Sequence, residues 1–369
     1  MKLWHIAAAV IAGLLAGEIR PGFFGNILRD ATLYVFLPAL VFEAAWQLDA
    51  KLMRRAWKPI VLLAVPGVAI TAGVIAAAVH VLGGMALLSA LILGAVLSAT
   101  DPVAVVAIFR RLEVPRILAT IVESEALLND AVAVVLYRGV IAAIFAGATS
   151  SSLGWIALTS IVGSIAGIAI GIAGAWAISA GLRESTTGFV RGTLTFLGGY
   201  AAYYAAELVH ASGIFAIFSL AIVLRKLVRD RDSSDVAAGV DRVWTATANV
   251  ANMVLFFLVG AAVTPGHFWN ERVILMWTIA GVIAARILVA YGLFALVPRL
   301  ARSWNTVVQM AGVRGALSLA LALGIPAGVA QRSQIVDATF AVVVLTILAG
   351  SLTYERHIAT LDLEGPHRL

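Results

Sequence analysis

Long apolar runs, separated by short polar or basic connections, organise the whole chain. They fall at about 3–17, 26–47, 58–81, 85–112, 115–147, 153–182, 186–208, 211–228, 243–264, 270–297, 303–325 and 335–354. A run of roughly 20 apolar residues is long enough for a helix to cross the hydrocarbon core of a bilayer. The pattern therefore predicts an all-α polytopic membrane protein with about twelve transmembrane helices. Strands of a membrane barrel alternate polar and apolar positions over about ten residues. These runs are continuous, so a barrel is excluded.

Basic residues sort the predicted helices by side. Lys51, Arg54, Arg55 and Lys58 follow the second run, Arg110, Arg111 and Arg116 the fourth, and Arg183 the sixth. Arg225, Lys226, Arg229 and Arg231 follow the eighth, and Arg299 and Arg302 the tenth, while the intervening connections carry fewer, such as Arg20, Arg272 and Arg332. Cytoplasmic loops hold the excess of Lys and Arg. Both termini are thus expected in the cytoplasm, with the chain in the plasma membrane.

Composition agrees with the pattern and narrows the chemistry. At 62% hydrophobic and 12% charged residues, a 369-residue chain is too apolar for a soluble domain and too long for a simple anchor. The net charge of +6 can suggest nucleic acid, but the basic residues cluster between apolar runs, so topology explains them and no nucleic-acid partner is expected. There is no cysteine, and the six histidines have no metal-ligand spacing. A Walker-type phosphate loop is missing, which argues against an ATP-driven pump. No cofactor is implied. The first apolar run can itself insert, so no removable signal peptide is needed.

Charge inside the apolar runs carries the functional argument. Residues 98–137 hold five carboxylates, Asp101, Glu113, Glu123, Glu125 and Asp130. A charge at the centre of a membrane helix costs at least ~2.5–3.5 kcal/mol, so it is tolerated where it meets a cavity, a partner or an ion. Asp101, Asp130 and Arg314 each fall near the middle of a predicted helix, ~15–20 Å from its ends, close to the bilayer midplane. Thr100-Asp101-Pro102 should break the fourth helix, because Pro102 lacks an N–H and disfavours helical backbone at Asp101. A break at that depth can offer carbonyls and a half-helix end to an ion, or can be a plain proline kink.

On the fifth helix Glu125 and Asn129 share a face, Asp130 lies about 100° further round, and Glu123 aligns with Asp130 two turns away. Asp130, Asn129 and carbonyls near Thr100 can form an oxygen-rich site for a hard monovalent cation. The same carboxylate can take a proton, so one group can carry either ion. The alternative is a buried polar network that only holds helices together. Arg314, between Gly312 and Gly315, can pair with Glu125 or Glu123 and leave Asp130 titratable; its expected role is structural, with the site depending on it. Glu43, Glu207 and Arg286 are further intramembrane charges, peripheral candidates, of which Glu43 and Glu207 lie near helix ends.

The segments SATDPVAVVA, ESEALLNDAVAVV, AGVRGALSLALAL, FLPALVFEAAW, AELVHASGIFA and VVVLTILAGSLT together resemble the monovalent cation/proton antiporters of the sodium/hydrogen exchanger, NhaP-like, family. The resemblance covers nearly the whole chain. It implies one transmembrane antiporter domain built of two inverted repeats, 1–147 and 186–355, joined by a linking helix at 153–182. It also implies crossed discontinuous helices and an elevator movement against a dimerising domain, hence a homodimer. Asp130 resembles the family's ion- and proton-binding carboxylate, with Asn129 beside it. Thr100 and Asp101 resemble the unwound crossover, Glu125 the second acidic residue and Arg314 its arginine partner. An Asn-Asp pair resembles the electroneutral branch, exchanging one proton for one Na⁺ or Li⁺, in some members K⁺.

Two features depart from the family pattern. Ser124 and Ala126 stand where Gly and Ser are usual, so a hydroxyl one turn before Asp130 is missing. The opening LWHIAAAVIAGLLAGEI resembles the family's second helix, so the repeat at the start is expected to be incomplete and dimerisation less secure. The expected activity is Na⁺ (or Li⁺)/H⁺ antiport by a secondary transporter, not an enzyme. K⁺/H⁺ exchange is the rival within the fold. A channel would need a continuous polar path, and an intramembrane aspartyl protease using Asp101 and Asp130 would leave Asn129 and Arg314 without a task.

Overall fold

A computed structural model describes residues 3–19, 32–101, 105, 108–109, 111–112, 114–147, 150–182, 188–229, 234–262, 271–297, 302–361 and 363. Arg20, Pro102, Arg110, Glu113, Arg183, Arg231 and Arg299 lie outside this set. Every regular element among the described residues is helical. In chain order the α-helices are α1 (Leu3–Ile19), α2 (Leu37–Gln47), α3 (Ala50–Arg55), α4 (Trp57–Ala77), α5 (Leu87–Ser98), α6 (Arg116–Phe145), α7 (Ser150–Gly181) and α8 (Gly188–Leu208). There follow α9 (Gly213–Arg229), α10 (Ser234–Ala262), α11 (Arg272–Ile287), α12 (Arg302–Met310), α13 (Ala316–Leu323), α14 (Arg332–Ala349) and α15 (Glu355–Ile358). Five helical stretches among the described residues are long and apolar enough to cross a membrane unaided: Trp57–Leu82, Arg116–Phe145, Leu158–Gly181, Arg272–Leu296 and Arg332–Ala349.

The chain forms two compact units. One comprises Met1–Ala50 and Phe145–Ala261, the other Lys51–Ile144 and Ala262–Leu369. In the first, α7 and α9 approach to backbone contact. A methyl group on Gly167 or Gly171 would overlap the backbone oxygens of Ser212 and Ala216. Lipid tails are as apolar as leucine, so helices in a bilayer associate through such small-residue packing and not through a hydrophobic drive. The outer face of α7 presents Leu158, Ile161, Val162, Ile165 and Trp176, which suits lipid. Glu207, at the end of α8, accepts the Gly213 N–H at 3.0 Å. That places a carboxylate on the positive end of α9, a structural task for one of the peripheral candidates. Glu43 sits half-buried on α2 of the same unit.

The second unit contains α4, α5, α6 and α11–α15 around an apolar cluster that includes Ile60, Phe109, Leu118, Ile121, Phe294, Trp304, Val307 and Ile358. Two of its predicted helices are interrupted at depth. α5 stops at Ser98, and Ala99 is extended, with φ −63° and ψ 136°. Chain beyond Asp101 returns to helix at Ile108–Phe109, so the break expected from the Thr-Asp-Pro sequence is present.

The second interruption differs from the sequence reading. Residues 303–325 read as one helix with Arg314 at its middle, but α12 ends at Met310 and α13 begins at Ala316, so Arg314 lies in a non-helical stretch. Its cause is local crowding. A side-chain carbon at Gly312 would collide with the Arg286 side chain, and one at Gly315 with the Asp101 carboxyl group. Gly315 is extended, at φ −144° and ψ −154°. These glycines let two foreign side chains reach the backbone where a helix would exclude them.

Gly315→Ala is therefore expected to keep the unit folded but push Asp101 out of place. The antiport that the resemblance implies should fall about tenfold or more in vesicles, since a ~1 Å misplacement of an ordered site can cost about a hundredfold. Size-exclusion profiles should remain those of the wild type.

Candidate functional site

The two interruptions lie against each other in the second unit. The Asp101 N–H donates to the Val313 carbonyl at 2.7 Å. In return, Arg314 Nη1 donates to the Ala99 carbonyl at 3.2 Å, and Ser318 Oγ donates to the same oxygen at 3.3 Å. The Arg314 N–H finds Thr346 Oγ1 at 3.1 Å. Backbone groups freed from helical pairing and buried away from water each need such a partner.

α6 runs past this crossing and supplies the carboxylates. Asp130 Oδ1 accepts the Thr100 N–H at 3.2 Å. Asn129 Nδ2 donates to Thr100 Oγ1 at 3.3 Å and to Glu125 Oε1 at 2.9 Å. Because both contacts engage the amide nitrogen, Asn129 Oδ1 is left buried without a hydrogen-bond partner. Ser124 Oγ is a second such atom on the same helix. A buried acceptor without a donor costs about 1–3 kcal/mol, which an incoming cation or water would relieve. Asp130 and Asp101 both retain partial exposure, whereas Glu125 and Arg314 are each only 1% exposed.

Glu125 corrects the sequence reading. Arg314 was the expected partner, but the ion pair is with Arg286, which donates from Nη1 to Oε1 at 2.8 Å and from Nη2 to Oε2 at 3.4 Å. Arg314, in the non-helical stretch between α12 and α13, instead donates from its guanidinium to the Ala99 carbonyl at the end of α5. Arg286 also donates to the carbonyls of Gln309, at 3.4 Å, and Val308. Those are last-turn carbonyls of α12, which have no acceptor role within their own helix. One guanidinium thus caps a broken helix and neutralises a buried acid, so a residue first placed at the periphery belongs to the centre. Its signal in the sequence was an arginine deep in the apolar run 270–297, whose one acid, Glu271, stands at the far end of the run. Glu123 lies half-buried on α6, two turns before Asp130.

The two facing interruptions, the Glu125–Arg286 pair and the partly exposed Asp130 gather oxygen and charged groups in one place within the second unit. A family profile described as "Sodium/hydrogen exchanger, transmembrane" matches residues 2–355. The chain belongs to the sodium/hydrogen exchanger family. This exchanger is 31% identical over 381 residues to the low-affinity Na⁺/H⁺ antiporter NhaS1 of Synechocystis sp., an alignment spanning all of this chain and 72% of the relative. It is 32% identical over 350 residues to the Na⁺/H⁺ antiporter ApNhaP of Aphanothece halophytica, covering 92% of this chain and 66% of that one. Its fold matches that of the sodium proton antiporter MjNhaP1 from Methanocaldococcus jannaschii with a TM-score of 0.84, covering 97% of this chain and 92% of that one at 20% identity. The exchanger is accordingly a multi-pass membrane transporter and not an enzyme.

Proposed function

We propose that this exchanger moves one Na⁺, or Li⁺, against one H⁺, with Asp130 as the carboxylate that takes either ion. The observation that carries the reading is the unpartnered Oδ1 of Asn129, buried beside Asp130. An uncharged oxygen next to a carboxylate suits a monovalent cation, which needs oxygens and carries a single charge. Glu125 does not compete for the ion, since Arg286 holds both of its oxygens. Thr100 serves the site twice, with its N–H on Asp130 and its hydroxyl on Asn129. Proton and cation then exclude one another at one carboxylate, which sets the one-for-one ratio.

The same reading places the exchanger in the plasma membrane with both termini in the cytoplasm. In this reading the unit of 51–144 and 262–369 carries the site, the other unit supports its movement in a homodimer, and the two inverted repeats are 1–147 and 186–355. Alternating access is then an elevator-like displacement of the site-bearing unit.

Purified exchanger in proteoliposomes with an internal pH dye, pulsed with Na⁺, Li⁺ or K⁺ at clamped membrane potentials, tests the proposal. Na⁺ and Li⁺ should drive proton movement at a rate that ignores the potential. Flux that follows the potential overturns the one-for-one ratio, and a response to K⁺ in place of Na⁺ selects K⁺/H⁺ exchange at the same site. Ala126, with no hydroxyl to offer, is the feature that makes the K⁺ arm worth running. No response to any cation overturns the proposal.

A further inference from the structure

We propose that Ser318 and Thr346 are positioning residues of the exchange site, each clamping one of the two peptide planes at the crossing. The inference rests on Asp130 as the exchanging carboxylate. A peptide unit is rigid, so its N–H and C=O are the two ends of one lever.

The first plane joins Ala99 to Thr100. Its N–H donates to Asp130 Oδ1 at 3.2 Å, while its carbonyl accepts Ser318 Oγ at 3.3 Å and Arg314 Nη1 at 3.2 Å. Ser318 is on α13 and 1% exposed, so its hydroxyl is shielded from solvent. Donors on the carbonyl also polarise the plane and strengthen its N–H as a donor to the carboxylate. Arg314 therefore reaches Asp130 through a peptide, with Ser318 fixing the angle.

The second plane joins Val313 to Arg314. Its carbonyl accepts the Asp101 N–H at 2.7 Å, and its N–H donates to Thr346 Oγ1 at 3.1 Å. The Thr346 hydroxyl donates to the Val343 carbonyl at 3.1 Å, one turn back on α14. With its proton committed there, the oxygen presents a lone pair to Arg314. Asp101 and Thr100 are adjacent in sequence, so a tilt of the second plane is handed to the first, and from there to Asp130.

A weakened clamp should loosen the cation's ligands without changing the number of folded carriers. For Thr346→Val and Ser318→Ala, the Na⁺ concentration at half-maximal flux should rise about threefold to tenfold, the range of one neutral hydrogen bond, with the maximal rate kept within about twofold. Thr346→Ser, which retains the hydroxyl, should return the wild-type value. Hydrogen exchange gives a readout independent of transport: amides in peptides spanning 311–317 should exchange faster in Thr346→Val, and those spanning 99–101 faster in Ser318→Ala. Unchanged affinity and unchanged exchange overturn the proposal, as does a lower maximal rate at unaltered affinity, which marks lost protein only. Ser318→Ala is a small change, so it decides the matter should Thr346→Val not fold. A wild-type protein without cation-driven flux counts against Asp130 as the exchange site, whereas normal wild-type flux with indifferent variants counts against the clamps alone.

Discussion

Asp130→Asn will reduce cation-driven proton movement to the background of protein-free vesicles while leaving the fold intact. The substitution is nearly isosteric, and its carbonyl oxygen can still accept the Thr100 N–H that Asp130 Oδ1 accepts at 3.2 Å. What it removes is the carboxylate proposed to alternate between a proton and a cation. A second measurement separates binding from turnover. Any ligand that binds the native state stabilises it, by about 2.7 kcal/mol at a hundred times its dissociation constant. Na⁺ should thus raise the melting temperature of the wild type in detergent and leave that of Asp130→Asn where it was. A Na⁺-dependent rise in the variant would move the cation site off Asp130, and residual exchange would move the proton.

Glu125→Gln should have the second-largest effect, and on stability first. Arg286 would remain charged in a site where Glu125 is 1% exposed, with its acid replaced by an amide beside the Gln309 and Val308 carbonyls. Breaking a buried pair by removing one partner typically costs about 3–5 kcal/mol, because the surviving charge is uncompensated. The end of α12 would be loosened as well, since Arg286 caps it. Replacing both partners, in Glu125→Gln with Arg286→Met, should recover much of the loss, because no bare charge is left. Thermal unfolding of both single variants and the double variant in detergent gives the coupling energy directly. If the double variant is as unstable as the sum of the singles, the pair is not what holds this region.

Much of the fold was legible because a bilayer dictates lengths. The apolar runs 58–81 and 115–147 correspond to helical stretches Trp57–Leu82 and Arg116–Phe145, since hydrocarbon thickness fixes both ends. The break after Ser98 was legible through Pro102, a residue with a local and one-sided effect on backbone. The break at Ala311–Gly315 was not, as its glycines are compatible with a helix and yield only to side chains arriving from elsewhere. Arg286 was misplaced for a related reason. It meets Glu125 across 161 positions of sequence, and the match depends on depth and azimuth of two helices that periodicity leaves open. Thr100, Glu125, Asn129 and Asp130 came together as their spacing on one turn and one break demands. Ser318 and Thr346 gave no signal, being ordinary hydroxyls in apolar helices.

The pairing of Glu125 with Arg286 has an electrical corollary. Among the ionisable groups of the crossing, three acids, Asp101, Glu125 and Asp130, stand against two guanidiniums, Arg286 and Arg314. With the carboxylates ionised, one negative charge is left over, and a single H⁺ or Na⁺ cancels it. On the proposed reading a loaded site is then neutral whichever ion it holds. Vacant, it would drag a bare charge through hydrocarbon, at several kcal/mol even with relaxation. On the proposed one-for-one reading such a carrier stalls when unoccupied, and leakage of either ion down its own gradient is suppressed by dielectric exclusion.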